Sequence, residues 1–374
     1  MLNRAKLLQK IEKLTDTLFV DRSREYSAVI AAWKALSADP TFADRAHAVD
    51  APWPLPTWDG NPNQAIDIRP AGSYEIVSVD GSQVYPDRHQ GTACFLINVG
   101  TVILRYGMPG RRVTFDSLPH LFAGDLPVVG GLDLSPDMVN ALRQEYELRA
   151  GLENAIATRG NHASSQLLLF DGSLIFWNLE AKDKRFRDVF LPRYLDTLEQ
   201  LYQHQIATAS YISLPKSKEL INLVRLQLCD FNPKDTACYA SADFFVDATL
   251  ARTFLAPGQC STIFQNHAPI SSHYPPHLRP HFFYLHNGDE IGRVELPAWA
   301  AQDGNMADTI ASIVLDQCIK GHGYPVVLAE AHEQAVVKGP DREFFYQLLA
   351  KIGSDRGHHR AISLKSAHKR RMSI

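Results

Sequence analysis

Two aspartates in this chain stand in the same short context. Asp80 lies in Ser78-Val79-Asp80-Gly81-Ser82, and Asp171 lies in Leu169-Phe170-Asp171-Gly172-Ser173. Each follows an apolar run that reads as a strand and leads into Gly-Ser. An aspartate at the end of a buried strand is held rigidly at a sheet edge. The glycine beside it lets a ligand approach the backbone closely. If the two strands are neighbours, the carboxylates converge and repel each other unless a cation lies between them. Mg²⁺ and Mn²⁺ prefer such oxygen donors. One Asp-Gly is an ordinary turn signal; two matching copies after apolar strands point to chemistry.

Further candidates lie between and beyond them. A helix before the second aspartate carries Glu145, Glu147 and Glu153. Glu147 and Glu153 are six apart and do not share a helix face, so one of them at most joins the aspartates. Near the C-terminus, Gly323-Tyr324-Pro325 leads into a helix of small and apolar residues holding His332, with Leu328 and Ala331 on its buried side. A histidine there is commonly a hydrogen-bonded core residue; its chemical use would be as a metal ligand or proton shuttle. His267, His273, His277, His281 and His286 are irregularly spaced through proline-rich sequence without cysteines, which reads as a solvated loop rather than a zinc site. Lys182, Lys184, Arg185 and Arg187 read as a DNA-backbone contact or as a solvated helix face. Trp53, Trp58, Trp177 and Trp299 are candidates for stacking on unpaired bases, with Trp177 expected in the core.

The elements that must position these groups follow from periodicity. Leu7, Leu8, Ile11 and Leu14 at helical spacing predict a helix over 3–36, packed on the body or on a second subunit. Four prolines within 50–63 predict an extended connector. Strands are expected at 74–80 and 93–104, adjacent and antiparallel, and at 166–171, 209–213, 281–285 and 291–296. Ser135, Pro136 and Asp137 predict the start of a helix over 135–158. Other helices are expected at 185–205, 216–228, 305–319 and from 326 onward. Strands come first and helices alternate afterwards, so the fold class is α/β: a mixed sheet flanked by helices.

Bulk properties bound the class. The chain has 374 residues and a net charge of −3, so any nucleic-acid contact needs a local basic surface rather than a basic protein. Five widely spaced cysteines make a disulfide framework improbable and fit a reducing, cytoplasmic setting. No run of about 18 apolar residues predicts a membrane span.

Taken together, Ser78–Ser82, Phe170–Leu174, Tyr211-Ile212-Ser213, Arg293-Val294-Glu295, Gly323-Tyr324-Pro325 and Ala331-His332 resemble the NurA nuclease family in order and spacing, from about 74 to 345. The resemblance implies a ribonuclease-H-like core at 71–350, preceded by an N-terminal helix and connector (1–70) and followed by a basic tail (351–374). It also implies a homodimer and Mn²⁺- or Mg²⁺-dependent DNA cleavage with two ions per site. Members cut single strands internally and resect ends from the 5′ side in double-strand-break repair, with a HerA-type hexameric ATPase. By the same resemblance Asp80, Glu147 (or Glu153), Asp171 and His332 are metal ligands. Tyr324 and Lys216 (or Lys218) complete the catalytic set. Two-ion phosphodiester hydrolysis, with cations about 4 Å apart, suits carboxylates delivered by separate strands and a helix. Two alternatives stay open on the sequence: a catalytically silent DNA-binding adaptor of the ATPase, and a phosphodiesterase acting on RNA.

Overall fold

The computed structural model describes residues 2–86, 94–110, 112–123, 132–159 and 165–356. Two compact units emerge from it: residues 1–56 with 216–254, and residues 57–215 with 255–374. Elements are numbered in chain order.

The first unit is helical. It comprises α1 (Arg4–Lys13), α2 (Thr15–Leu18), α3 (Ser23–Ala38) and α4 (Phe42–His47), joined by residues from much later in the chain. Its core holds Val29, Trp33, Leu36 and Phe42, with Trp33 stacked on Phe254 and Phe42 tilted against Phe231. The single helix expected over 3–36 is therefore broken twice. Leu14 closes α1, and the Thr15 hydroxyl donates to the carbonyls of Ile11 (3.2 Å) and Glu12 (3.0 Å). Side-chain bonding of this kind competes with helix propagation. Asp21 then accepts from the amide of Ser23 at 2.9 Å, starting α3 afresh. No residue of α1 or α2 is buried.

In the second unit the chain builds one eleven-stranded mixed sheet. Short strands β1 (Thr57–Trp58) and β2 (Ala65–Asp67) precede β3 (Tyr74–Val84), β4 (Phe95–Tyr106) and β5 (Val113–Phe122), the last three pairing antiparallel in succession. After α5 (Pro136–Thr158), β6 (Ser165–Asp171) pairs parallel with β3. Then α6 (Trp177–Glu180) and α7 (Lys184–Gln203) lead to β7 (Ala207–Ile212), parallel to β6. In the first unit lie α8 (Glu219–Leu228), α9 (Thr236–Tyr239) and α10 (Asp247–Ala251). The sheet resumes with β8 (Gln259–Ser261), β9 (Phe264–Gln265), β10 (Pro280–His286) and β11 (Ile291–Pro297). The last helices are α11 (Ala298–Ala301), α12 (Gly304–Lys320), α13 (Val326–Ala335) and α14 (Gly339–Asp355). The strand order is β1-β9-β10-β11-β7-β6-β3-β4-β5, with β2 and β8 off this path.

Strand alternation sends successive β3 residues to opposite faces. The face of Gly81 receives α5, and the face of Tyr74 and Ser82 receives α12 and α13. The start of α5 follows from its sequence: Ser135 accepts from the amide of Met138 at 3.2 Å, and Pro136 opens the first turn. Such a cap is worth about 1 kcal/mol. At Gly151 a side chain would press on Phe170, so glycine lets α5 lie close to β6.

Two other expectations change. Residues 266–281 are not a solvated loop: Ala268, Ile270, Tyr274 and Leu278 are buried. Trp177 is 42% exposed, because its neighbours Phe176 and Leu179 take the inward positions of that turn. The basic tail residues 368–371 lie outside the described residues. All five cysteines are free, and no helix among the described residues is long and apolar enough to cross a membrane.

Candidate active site

Register brings the two aspartates together. Val79 lies opposite Phe170 in the parallel β3–β6 pair, so Asp80 and Asp171 follow side by side on the same face. Each carboxylate has its own donor. The Asp80 Oδ2 atom is 2.9 Å from Nδ1 of His332, and its Oδ1 accepts from the Gly81 amide at 2.8 Å. Asp171 accepts from the Tyr324 hydroxyl. Burial pushes the Asp171 carboxyl above its usual range, opposed by the Tyr324 bond and reinforced by the charge of Asp80. The Tyr324 hydroxyl is in turn held well above its ordinary value, first by burial and then by Asp171.

His332 is no core residue. Its side chain is 64% exposed, while Leu328 and Ala331 beside it are buried. The helix that carries it is fixed by the rest of the first Asp-Gly-Ser. The Ser82 hydroxyl donates to the carbonyl of Ala335 at 2.5 Å and accepts from the amide of Val337 at 3.1 Å. Asn98 on β4 donates to the same Ala335 carbonyl at 2.8 Å. The exposed carbonyls at the C-terminus of α13 are thereby satisfied by the sheet itself. Gly100, opposite Asp80 in the register, has no side chain to strike the backbone of Gln334 and Ala335. At the other end of α13, Gln317 accepts from the Val327 amide at 3.0 Å and donates to the Tyr74 hydroxyl at 2.8 Å.

Glu147 arrives from the opposite face. A Cβ on Gly81 would fall on Glu147 Oε1 and against Arg143, so this glycine makes the space that Glu147 fills. Glu147 pairs with Arg143. Burial pushes its carboxyl up to about 8, opposed by Arg143 and reinforced by the charges of Asp80 and Asp171. Glu145, buried, is engaged by Arg193 at 3.1 Å and Arg149 at 3.7 Å, and Glu153 is exposed. Of the three glutamates, Glu147 is the one electrostatically coupled to the aspartates.

The second Asp-Gly-Ser is supported from β11. Ser173 donates to Glu295 at 2.7 Å, and the Leu174 amide donates to the same carboxylate at 2.9 Å. Glu295 is also bonded by Arg293 at 2.8 Å, and both side chains are almost wholly buried. The Tyr274 hydroxyl donates to the carbonyl of Leu174 at 2.9 Å and accepts from the Phe176 amide at 3.1 Å. Proline-rich sequence around Tyr274 hid this role.

The other sequence candidates have surroundings of their own. Lys216 is exposed, and Lys218 donates to the carbonyl of Asp243 at 2.6 Å. Lys182 is paired with Asp137 at 2.7 Å. Four of the five histidines have hydrogen-bond partners outside the cluster: Thr57 for His267, Glu199 for His277, the Arg279 carbonyl for His281 and the Gly288 amide for His286. Among the described residues, no three His, Cys, Asp or Glu side chains stand close enough together to hold an ion as they are oriented. For the Asp80–Asp171 cluster the reason is visible: the carboxylates are turned to His332, Arg143 and Tyr324 instead.

Fold and cluster define a mixed α/β protein whose acidic centre lies on one face of two adjoining parallel strands, at the end of β6 but within β3, which runs on to Val84 instead of ending at Asp80 as its sequence suggested. A family model for the NurA domain matches residues 74–337, and the chain belongs to the NurA family. No curated protein matches the chain. Among solved structures it is similar to a crystal structure of NurA, with 13% identity, a TM-score of 0.36, and coverage of 93% of this chain and 98% of that one. It is similar also to NurA bound to dAMP and manganese, with 12% identity, a TM-score of 0.37, and coverage of 94% and 98%. A structure of Aquifex aeolicus Argonaute shares 8% identity at a TM-score of 0.29, over 71% of this chain and 28% of that one.

Proposed function

We propose that this protein is a metal-dependent nuclease that hydrolyses DNA phosphodiesters at the Asp80–Asp171 carboxylate pair. The observation that carries this reading is the placement of those carboxylates side by side in a chain of the NurA family. The succession of three antiparallel strands and then two parallel ones, in the order β5-β4-β3-β6-β7, supports a ribonuclease-H-like core.

The donor set fits a hard divalent cation. Asp80 and Asp171 offer carboxylate oxygens on one face, Glu147 offers another across Gly81, and His332 offers an imidazole nitrogen. Bound there, Mn²⁺ or Mg²⁺, two ions per site, would supply an activated water and neutralise phosphate charge. The protein's own groups then have distinct tasks. Tyr324 orients the Asp171 carboxylate through its hydroxyl. His332, exposed and held by Nδ1 to Asp80, has Nε2 as its remaining nitrogen, which would hold the cation as a ligand or, uncoordinated, exchange a proton. Lys216 is assigned to phosphate neutralisation on the family pattern alone. Single-strand endonuclease and 5′-to-3′ exonuclease activity in break repair, a homodimer, a HerA-type ATPase partner and a cytoplasmic location follow from the family in the same way.

The test is cleavage of end-labelled single- and double-stranded DNA, and of RNA of the same sequence, with Mn²⁺, Mg²⁺ or EDTA. Cation-dependent cutting of DNA that vanishes in Asp171→Ala is expected. Absence of cutting by the wild type in either metal, with the ATPase partner present, would sink the reading and favour a silent adaptor. Preference for RNA would replace the substrate.

A further inference from the structure

Glu147 has a cation of its own. Arg143 lies one turn earlier on α5, on the same stripe. Its Nη1 donates to Glu147 and to the carbonyl of Gly81, the latter at 3.1 Å. Its Nε is buried and finds no partner among the described residues. The two side chains are largely withdrawn from solvent, at 29% for Arg143 and 16% for Glu147. Asp80 and Asp171, in contrast, are held by an imidazole and a phenol on the other face of the strand.

This asymmetry has a physical cause. A carboxylate withdrawn from water beside two others is costly unless a positive charge meets it. A guanidinium stays protonated and can bond two acceptors at once. Here one acceptor is the glutamate, and the other is backbone of β3 itself. The pair therefore fixes Glu147 against Gly81 and ties α5 to the Asp-Gly-Ser strand.

We propose that Arg143 is a positioning residue: the resident counter-ion that seats Glu147 on Gly81 and that a divalent cation displaces as Glu147 turns toward Asp80 and Asp171. This rests on the metal-dependent reading above. Arg143 and the cation compete for one carboxylate, so weakening Arg143 should strengthen cation binding while loosening the cation-free protein.

The experiment uses the full chain as wild type, Arg143→Gln, Arg143→Lys, and Arg143→Gln combined with Glu147→Gln. Thermal unfolding is followed in EDTA and in Mn²⁺, and Mn²⁺ binding is titrated by electron paramagnetic resonance. In EDTA, Arg143→Gln is expected to unfold at lower temperature than wild type, and Mn²⁺ should close most of that gap. Its Mn²⁺ dissociation constant should fall about fivefold, the scale of one partly screened charge interaction. In the Glu147→Gln background the Arg143 change should leave Mn²⁺ affinity unaltered. A loss of unfolding temperature equal in EDTA and Mn²⁺, or weaker Mn²⁺ binding, overturns the proposal. Should Arg143→Gln fail to fold, Arg143→Lys decides: tighter Mn²⁺ binding supports the proposal and unchanged affinity overturns it. If the wild type itself binds no Mn²⁺, the metal-dependent reading fails, and the displacement falls with it.

Discussion

The same tripeptide lies inside one strand and at the end of another, and is used differently in each. At 80–82 the chain remains in β3, and Gly81 is needed for the space it leaves, which Glu147 and Arg143 occupy. At 171–173 the strand stops. Gly172 sits at φ +88°, and a Cβ there would meet nothing within 4 Å, so this glycine is needed for its backbone conformation. The serines diverge too. Ser82 caps the helix that carries His332, whereas Ser173 hands its turn to a buried carboxylate on β11. One motif recruits helices to the strand; the other bends the strand's exit. Identical letters thus report position on a strand, and the neighbours decide what each letter does.

The comparison breaks first at the aspartates, where the two motifs should behave alike. Asp80→Ala and Asp171→Ala should each lower cleavage by about 10³-fold or more, as for groups that act as a unit. Their unfolding temperatures should stay level or rise, since a mutual repulsion is removed; a parallel loss of fold and activity would contradict this. The supports should then differ. Glu295→Ala strands the buried Arg293 charge and should cost about 3–5 kcal/mol in denaturant unfolding. The ion pair at the first motif, Arg143–Glu147, is less buried than Arg293–Glu295. The glycines sharpen the contrast. Gly81→Ala should displace Glu147 and cut activity by about 10²-fold, with about 1–3 kcal/mol of overpacking cost. Gly172→Ala should cost only about 1–2 kcal/mol, the left-handed penalty, and retain most cleavage. Equal activity losses in these two variants would erase the distinction.

How much of this was legible depends on whether the signal is local. The capped start of α5, the β6 apolar run and the antiparallel β3–β4 neighbourhood were all readable, because caps and alternation are properties of adjacent residues. Thr15 and Asp21 act locally as well, yet they divided a helix whose leucine periodicity looked continuous. Strand β5 was missed: its residues are largely exposed and it contains Pro119, so no inside–outside pattern marks it. The joining of 216–254 to the N-terminal helices is a long-range packing choice with no local trace. The role of Arg143 was invisible for a related reason. A basic residue four before a glutamate reads as a surface pair, and only the missing side chain of Gly81 makes it an interior one.

The bond between His332 and Asp80 spans 252 positions of sequence, and it is formed by the last helix but one. During synthesis a ribosome-bound chain emerged through β6 holds both aspartates but neither Tyr324 nor His332. The residues that seat Asp171's turn, Tyr274 and, on β11, Glu295, come later still than β7. Contacts of such separation form only after long stretches of chain have been closed into loops. A growing polypeptide therefore cannot display a finished centre until nearly the whole second unit has been translated. Termination after Asp171 but before Tyr324 leaves both aspartates without Tyr324 and His332, so the order of synthesis keeps the acidic cluster unfinished until late in the chain.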